Sequence, residues 1–191
     1  ADLFDPAQGK FVFAPPMAAR RHRPGLAYAG GHVLAVGDVG AVPSAERFDP
    51  ETAVWTTIAG PSATARADAV AVATGPGLAV VVGGGVAAEV YTPDAQVAAG
   101  EPFDAVRSVP AARADHTVTT LADGTLLVVG GTSSVAAALA SVEGYEANAR
   151  LFTPRASLLR ARADHAATNI GQGLVLVVGG RDGQGVVPDA E

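Results

Sequence analysis

Two tetrapeptides, Arg113-Ala-Asp-His116 and Arg162-Ala-Asp-His165, each place a guanidinium, a carboxylate and an imidazole within four residues. A second-unit counterpart, Arg66-Ala-Asp68-Ala69, keeps the Arg and Asp, and a first-unit counterpart, Arg20-Arg21-His22-Arg23, keeps only basic groups. Converging at one point, such groups can bind an anion or a sugar. Asp115, Asp164, His116 and His165 also offer the mixed oxygen and nitrogen donors that several divalent ions accept. Asp115 with His116 or His165 has the makings of an acid/base pair. The candidate ligand-binding set is therefore Arg20, His22, Arg66, Asp68, Arg113, Asp115, His116, Arg162, Asp164 and His165, with no residue assigned as catalytic or as a metal ligand. A structural role competes with this reading. A single site does not need its residues in every unit, whereas an Arg–Asp network between neighbouring units does.

Other chemistry is missing from the sequence. Gly171-Gln-Gly173 and Gly183-Gln-Gly185 read as turns, with no following helix to present amides to a phosphate. There is no nucleophile elbow, no His-Glu-x-x-His and no glycosylation sequon. No cofactor is expected.

The elements that position these residues are written into a repeat. Apolar runs ending in glycine recur at His32–Gly37, Leu78–Gly84, Leu126–Gly131 and Leu176–Gly180, and the marker residues Gly37, Gly83, Gly130 and Gly179 are 46, 47 and 49 apart. Arg20, Arg66, Arg113 and Arg162 each precede a marker by 17 residues. A second signature, Ala1-Asp-Leu-Phe-Asp-Pro6, returns as Ala45-Glu-Arg-Phe-Asp-Pro50, as Ala88-Glu-Val-Tyr-Thr-Pro93 and more loosely around Val142–Tyr145. Seven residues after the aromatic stands another: Phe4 with Phe11, Phe48 with Trp55, Tyr145 with Phe152. After Tyr91 an insertion delays it to Phe103. Each unit reads as four short strands, a to d. Strand a follows the Arg, and b is the Val/Leu run, continuous enough to be covered on both faces. Strands c and d carry the two aromatics, with an Asp-Pro turn between them. The sequence repeats run approximately over 1–44, 45–87, 88–141 and 142–191, circularly offset from the a–d units. All 191 residues read as one all-β domain.

A four-stranded unit every 40–50 residues points to a β-propeller. The diglycine after b, the aromatics on c and d and the Arg opening a resemble the kelch repeat, as in the central domain of galactose oxidase. Gly37-Asp38 in place of a diglycine, and Trp55 as the one Trp on a strand d, depart from the pattern. The resemblance implies a rigid disc presenting loops and a channel mouth to a protein or carbohydrate partner, without catalysis. The alternative it allows is a sugar isomerase or epimerase, or a metal-dependent enzyme, working through the Arg-Ala-Asp-His residues. The absence of Cys rules out the Tyr–Cys copper chemistry of galactose oxidase. The strand order c-d, three times a-b-c-d, then a-b, allows three arrangements: a closed four-blade ring, a part of a larger propeller, or open rings that self-associate.

Composition bounds the rest. With 49% apolar residues the chain is not disordered. Without Cys it is no disulfide scaffold. No apolar run approaches the roughly 18 residues of a membrane span. A net charge of -6 and a single Lys, Lys10, leave no basic stripe for nucleic acid. The Lys-poor, Ala- and Arg-rich composition suggests a bacterial sequence, and kelch-like chains of that kind point to the cell surface or outside. Ala at position 1 is consistent with processing or with a longer parent chain. Loops where the units disagree are further binding candidates: Pro93–Val109 with Glu101, Asp104 and Arg107, the small-residue segment Thr132–Ser141, and the Arg20–Arg23 cluster.

Overall fold

A computed structural model describes residues 1–37, 45–58, 66, 68–75, 77–84, 88–93, 102–106 and 112–191. Glu101, Arg107 and Asp38 lie outside the described residues. Every regular element among those described is a strand, paired antiparallel with its neighbour.

The strands fall into the units expected. An N-terminal ribbon pairs β1 (Asp2–Asp5) with β2 (Lys10–Phe13). The first complete sheet runs β3 (Gly25–Ala29), β4 (His32–Val36), β5 (Ala45–Asp49), β6 (Val54–Ile58) in consecutive order. The second is β7 (Val70–Thr74), β8 (Leu78–Val82), β9 (Glu89–Tyr91), β10 (Phe103–Ala105). The third is β11 (Thr117–Thr120), β12 (Leu126–Val129), β13 (Val142–Glu146), β14 (Leu151–Pro154). A C-terminal ribbon of β15 (Ala166–Gly171) and β16 (Leu174–Val178) follows, then a small hairpin, β17 (Arg181–Asp182) with β18 (Gly185–Val186).

Register explains the aromatic spacing. Phe48 lies directly opposite Trp55, and Tyr145 opposite Phe152, with ring centroids 5.1 and 4.8 Å apart. The insertion after Tyr91 leaves the pairing intact, because Phe103 still faces Tyr91 at 5.2 Å. Seven residues is the reach across the c–d hairpin, and tilted aromatic pairs of this kind stabilise beyond their buried area. The hairpin turns on an Asx motif: Asp49 accepts the Glu51 amide at 2.8 Å and the Thr52 hydroxyl at 2.8 Å.

The core sits between sheets rather than within one. Along β8, Ala79 and Val81 pack with Leu34, Val36 and Ala45 of the first sheet, while Val80 and Val82 pack with Leu126 and Val128 of the third. Both faces of strand b are therefore buried, which is why its sequence is continuously apolar. Each such Val contributes on the order of 1.5–3 kcal/mol.

Closure is where the structure departs from one expectation. The two terminal ribbons remain separate two-stranded sheets, and no closed ring or barrel forms among the described residues. The small-residue segment Thr132–Ser141 is pinned by its own backbone: Ser133 N–H donates to Ala137 O and Leu139 N–H to Gly131 O.

Candidate functional site

The repeated arginines are buried and tied within their own units. Arg66, Arg113 and Arg162 each donate from Nη1 to the carbonyl of the marker glycine 17 residues on, Gly83, Gly130 and Gly179, at 2.9 Å in every case. From Nη2 each pairs with a strand-c glutamate: Arg66 with Glu89, Arg113 with Glu143, Arg162 with Glu191 at 2.6 Å. One planar fork thus joins the start of strand a to the b–c turn and to strand c. In the first unit this role belongs to Arg21 and not to Arg20. Arg21 donates to Gly37 O at 2.9 Å and pairs with Glu46 at 3.1 Å, with its side chain fully buried, while Arg20 is exposed. The segment from Arg21 to β3 has the length found in the other units, and the β3–β4 turn is one residue shorter than the β7–β8 turn, which makes the offset 16.

The glutamate does more than neutralise the arginine. Glu46 accepts the amides of Ala18 and Ala19, and Glu191 those of Leu159 and Arg160, the residues three and two places before each arginine. Burial opposes ionisation of Glu191, but these amides and the Arg162 guanidinium hold its carboxyl below the usual range. At Glu143 burial prevails over the Arg113 charge and raises the carboxyl. Desolvation lowers the Arg66 and Arg113 guanidinium pKa values against the pull of their glutamates, with both groups still cationic at any ordinary pH.

The expected Arg–Asp network between units does not form from these arginines. The aspartates of the motif instead occupy left-handed backbone turns two residues after each buried arginine. Arg23, Asp68, Asp115 and Asp164 have φ of 53, 53, 52 and 53°. That conformation is costly for most residues and tolerated best by Asn, Asp and Gly, and it turns each side chain out of the packed unit. The four turns converge. Arg23 pairs with Asp68 at 2.9 Å and with Asp115 at 3.4 Å, spanning 92 residues of sequence. Arg181 pairs with Asp164 and lies 3.7 Å from Asp115, whose carboxylate also accepts the Thr132 hydroxyl at 3.2 Å. The Asp164 amide donates to the Asp115 carbonyl at 3.0 Å. The result is an alternating line, Asp68–Arg23–Asp115–Arg181–Asp164, drawn from all four units, most exposed at its two arginines and least at Asp115, whose side chain is 14% exposed.

No family model matches the chain, and no curated protein matches it. The functional reading therefore stands on this geometry.

The histidines are separated from that line. His116 and His165 are buried, at 6% and 7% exposure, each stacked against the marker glycine of the preceding unit. A Cβ on Gly83 would fall 2.5 Å from His116 Cε1, and one on Gly130 2.9 Å from His165 Cε1. Burial, with the Arg113 charge and His165 beside it, pushes the His116 imidazole down to about 4. Burial and Arg162 lower His165, with Asp164 opposing. His165 Nε2 lies 2.9 Å from the Thr117 hydroxyl, and Asn169 donates to Thr120 O at 3.0 Å, so the polar residues of the a strands bond one unit to the next. His22 is exposed. Among the described residues no group of three or more His, Asp or Glu is placed to hold a metal ion, and no helix is long and apolar enough to cross a membrane.

Of the sequence candidates, Asp68, Asp115 and Asp164 are brought together at the surface, while Arg66, Arg113, Arg162, His116 and His165 are packed beneath it. Arg20 and His22 are exposed. Arg21 and Arg23 figure in the sequence only as members of the Arg20–Arg23 cluster, and Arg181 and the four glutamates are not among its candidates. The glutamates had a signal: Glu46, Glu89 and Glu143 each stand two residues before the strand-c aromatic, and Glu191 follows Ala190 as Glu46 follows Ala45.

Proposed function

We propose that this chain is a kelch-like β-propeller segment acting as a non-enzymatic interaction module, which binds a protein partner through the Asp68–Arg23–Asp115–Arg181–Asp164 line. The observation that carries the reading is the Arg23–Asp115 pair, which links the first unit to the third and places turns from successive units around one point. A repeat scaffold that gathers equivalent turns from successive units on one face can present them to a partner.

The face holds three carboxylates and two guanidiniums, all partly exposed. An incoming Arg or Lys side chain can take a carboxylate oxygen from Arg23 or Arg181, and an incoming carboxylate can take the released guanidinium. Such exchange favours a partner loop carrying both signs. Aromatic residues, which commonly stack on sugar rings, are absent from this line, so a protein loop fits better than a glycan. The acid/base pair of the enzymatic alternative is disfavoured by His116, which is buried with a depressed pKa.

Panning a displayed peptide library against the wild-type chain, with Asp68→Asn/Asp115→Asn/Asp164→Asn as the control, tests the proposal. Asn keeps the left-handed turns and removes the charge. The expected hits carry mixed charge and lose binding at least tenfold on the triple variant. Hits that bind both proteins equally would overturn it, as would a glycan-array signal that survives the triple substitution.

A further inference from the structure

We infer that the partner bound along the charged line also seats one branched aliphatic side chain, of leucine or isoleucine size, in the cleft beside Thr132. The inference rests on that line being a protein-binding face. The cleft has a volume of about 130 Å³ and is lined by Ala112, Arg113, Ala114, Thr132, Ser133 and Ser134. A cavity of about 150 Å³ accepts a benzene molecule, so a single aliphatic side chain suits the space.

The chemistry of the cleft follows from the sequence of the third unit. After its second glycine that unit reads Thr132-Ser133-Ser134, where the fourth reads Arg181-Asp182-Gly183. The positions are equivalent, because Thr132 bridges Ala114 as Arg181 bridges Ala163. The one charge in the lining is Arg113, whose guanidinium is taken up by the Gly130 carbonyl and Glu143. The other five residues are small and uncharged, and they admit an apolar group without stranding a charge. The Ser133 hydroxyl has no hydrogen-bond partner among the described residues, and a peptide crossing the cleft carries backbone groups that would satisfy it.

The walls are set before a partner arrives. Ala114 and Thr132 exchange backbone bonds of 3.0 and 2.8 Å, and the turn beyond them is closed by Ser133 N–H to Ala137 O and Ala136 N–H to Ser133 O, both at 2.9 Å. The far leg of this hairpin is tied to the following segment by Leu158 N–H to Ala140 O at 2.9 Å and Arg162 N–H to Leu139 O at 3.1 Å. A preformed wall spares the partner the cost of ordering it. Within the turn Val135 is 81% exposed and extends the apolar edge.

Thr132 joins the cleft to the line. Its hydroxyl donates to the Asp115 carboxylate at 3.2 Å, and Asp115 in turn pairs with Arg23. Thr132 also borders a smaller cleft, of about 60 Å³, together with Arg181. A side chain seated beside Thr132 therefore leaves its neighbours in the partner chain next to Asp115 and Arg181. Mixed charge along the line and an apolar space beside it describe one kind of loop, a leucine or isoleucine flanked by residues of both signs. The anchor supplies affinity and the flanking charges supply choice of partner.

Methyl NMR on the folded chain tests the cleft without a charged partner. Titration with N-acetyl-leucine methylamide should give saturable shifts at Ala112, Ala114 and Thr132. N-acetyl-glycine methylamide should bind at least tenfold more weakly, the loss that corresponds to one buried aliphatic side chain. Ala112→Phe fills the space and should remove the shifts at Ala114 and Thr132. If circular dichroism shows that it perturbs the fold, Ser134→Trp, at an exposed residue of the same lining, takes its place. Peptides selected on the wild-type chain should carry a leucine or isoleucine among mixed charges, and should weaken at least tenfold when it is replaced by Ala. The inference is overturned if no saturable shift appears, if the glycine compound binds equally well, or if selected peptides bind the filled cleft as they bind wild type. Peptides that tolerate the filled cleft yet fail on Asp68→Asn/Asp115→Asn/Asp164→Asn overturn the anchor and leave the line standing. Leucine-specific shifts with peptides indifferent to that triple variant overturn the line, and with it the link between the two.

Discussion

Arg113 binds Glu143 and the carbonyl of Gly130 with one guanidinium, closing the start, the turn and the third strand of a unit on a single buried fork. Removing one partner of a buried ion pair strands the other without solvent, at about 3–5 kcal/mol. Arg113→Ala should lose stability on that scale in urea titration. Arg113→Lys should also lose stability, since an ammonium cannot reproduce the planar fork. A loss below about 1 kcal/mol in Arg113→Ala would remove the fork from the account.

Adjacent arginines in the first unit should behave oppositely. Arg21→Ala removes the pair with Glu46 and the bond to Gly37, while Arg20→Ala touches only an exposed side chain. The expected outcome is a loss of several kcal/mol for Arg21→Ala and a change within about 0.5 kcal/mol for Arg20→Ala. Equal effects, measured by the same denaturation, would contradict the register.

This pair also shows how far the sequence carries. The period, the four strands and the aromatic register were legible because each is local: a glycine after an apolar run, two aromatics a hairpin apart. Arg21 was not, because in a run of Arg20-Arg21-His22-Arg23 a constant offset selects the wrong neighbour. The glutamates have a local signal beside the strand-c aromatic, but their pairing with the arginines is hidden by variable b–c turns, which set the Arg–Glu separation at 25, 23, 30 and 29 residues. The left-handed φ that turns Asp115 outward and leaves His116 inward, one residue later, is a backbone property with no signature beyond the Asp itself. Closure was not legible either, since it depends on how successive units add up in space.

Glycine substitutions separate two causes. Gly130 and Gly179 both have positive φ, at 57 and 68°, so Ala at either pays the left-handed cost of about 1–2 kcal/mol. Only at Gly130 does the new Cβ also meet the Arg162 carbonyl and the His165 ring. Gly130→Ala should therefore be the more destabilising in thermal melts of the dilute chain, and equal melting temperatures would argue against close packing between units.

Acid should weaken the fold through His116. Its imidazole titrates near 4 in the folded chain against an ordinary value of 6.5, so below about pH 6.5 the unfolded chain takes up a proton the native one refuses. Stability attributable to this group is complete above that pH and falls by about 3 kcal/mol on descending to about pH 4. His116→Ala, which reproduces the residue at Ala69, should flatten that part of the profile. A variant with an unchanged slope between pH 7 and 5 would show that His116 is not the source.

The central claim is that the repeated motif divides into a structural half, the Arg–Glu forks, and a binding half, the left-handed Asp turns. The most direct measurement compares Glu143→Gln with Asp115→Asn, each by thermal melt and by affinity for a library-selected peptide. Glu143→Gln is expected to lower the melting temperature by several degrees while the folded fraction binds as wild type. Asp115→Asn is expected to melt within a degree or two of wild type and to bind at least tenfold more weakly. If Asp115→Asn binds as wild type, or if it melts as early as Glu143→Gln, the division is wrong.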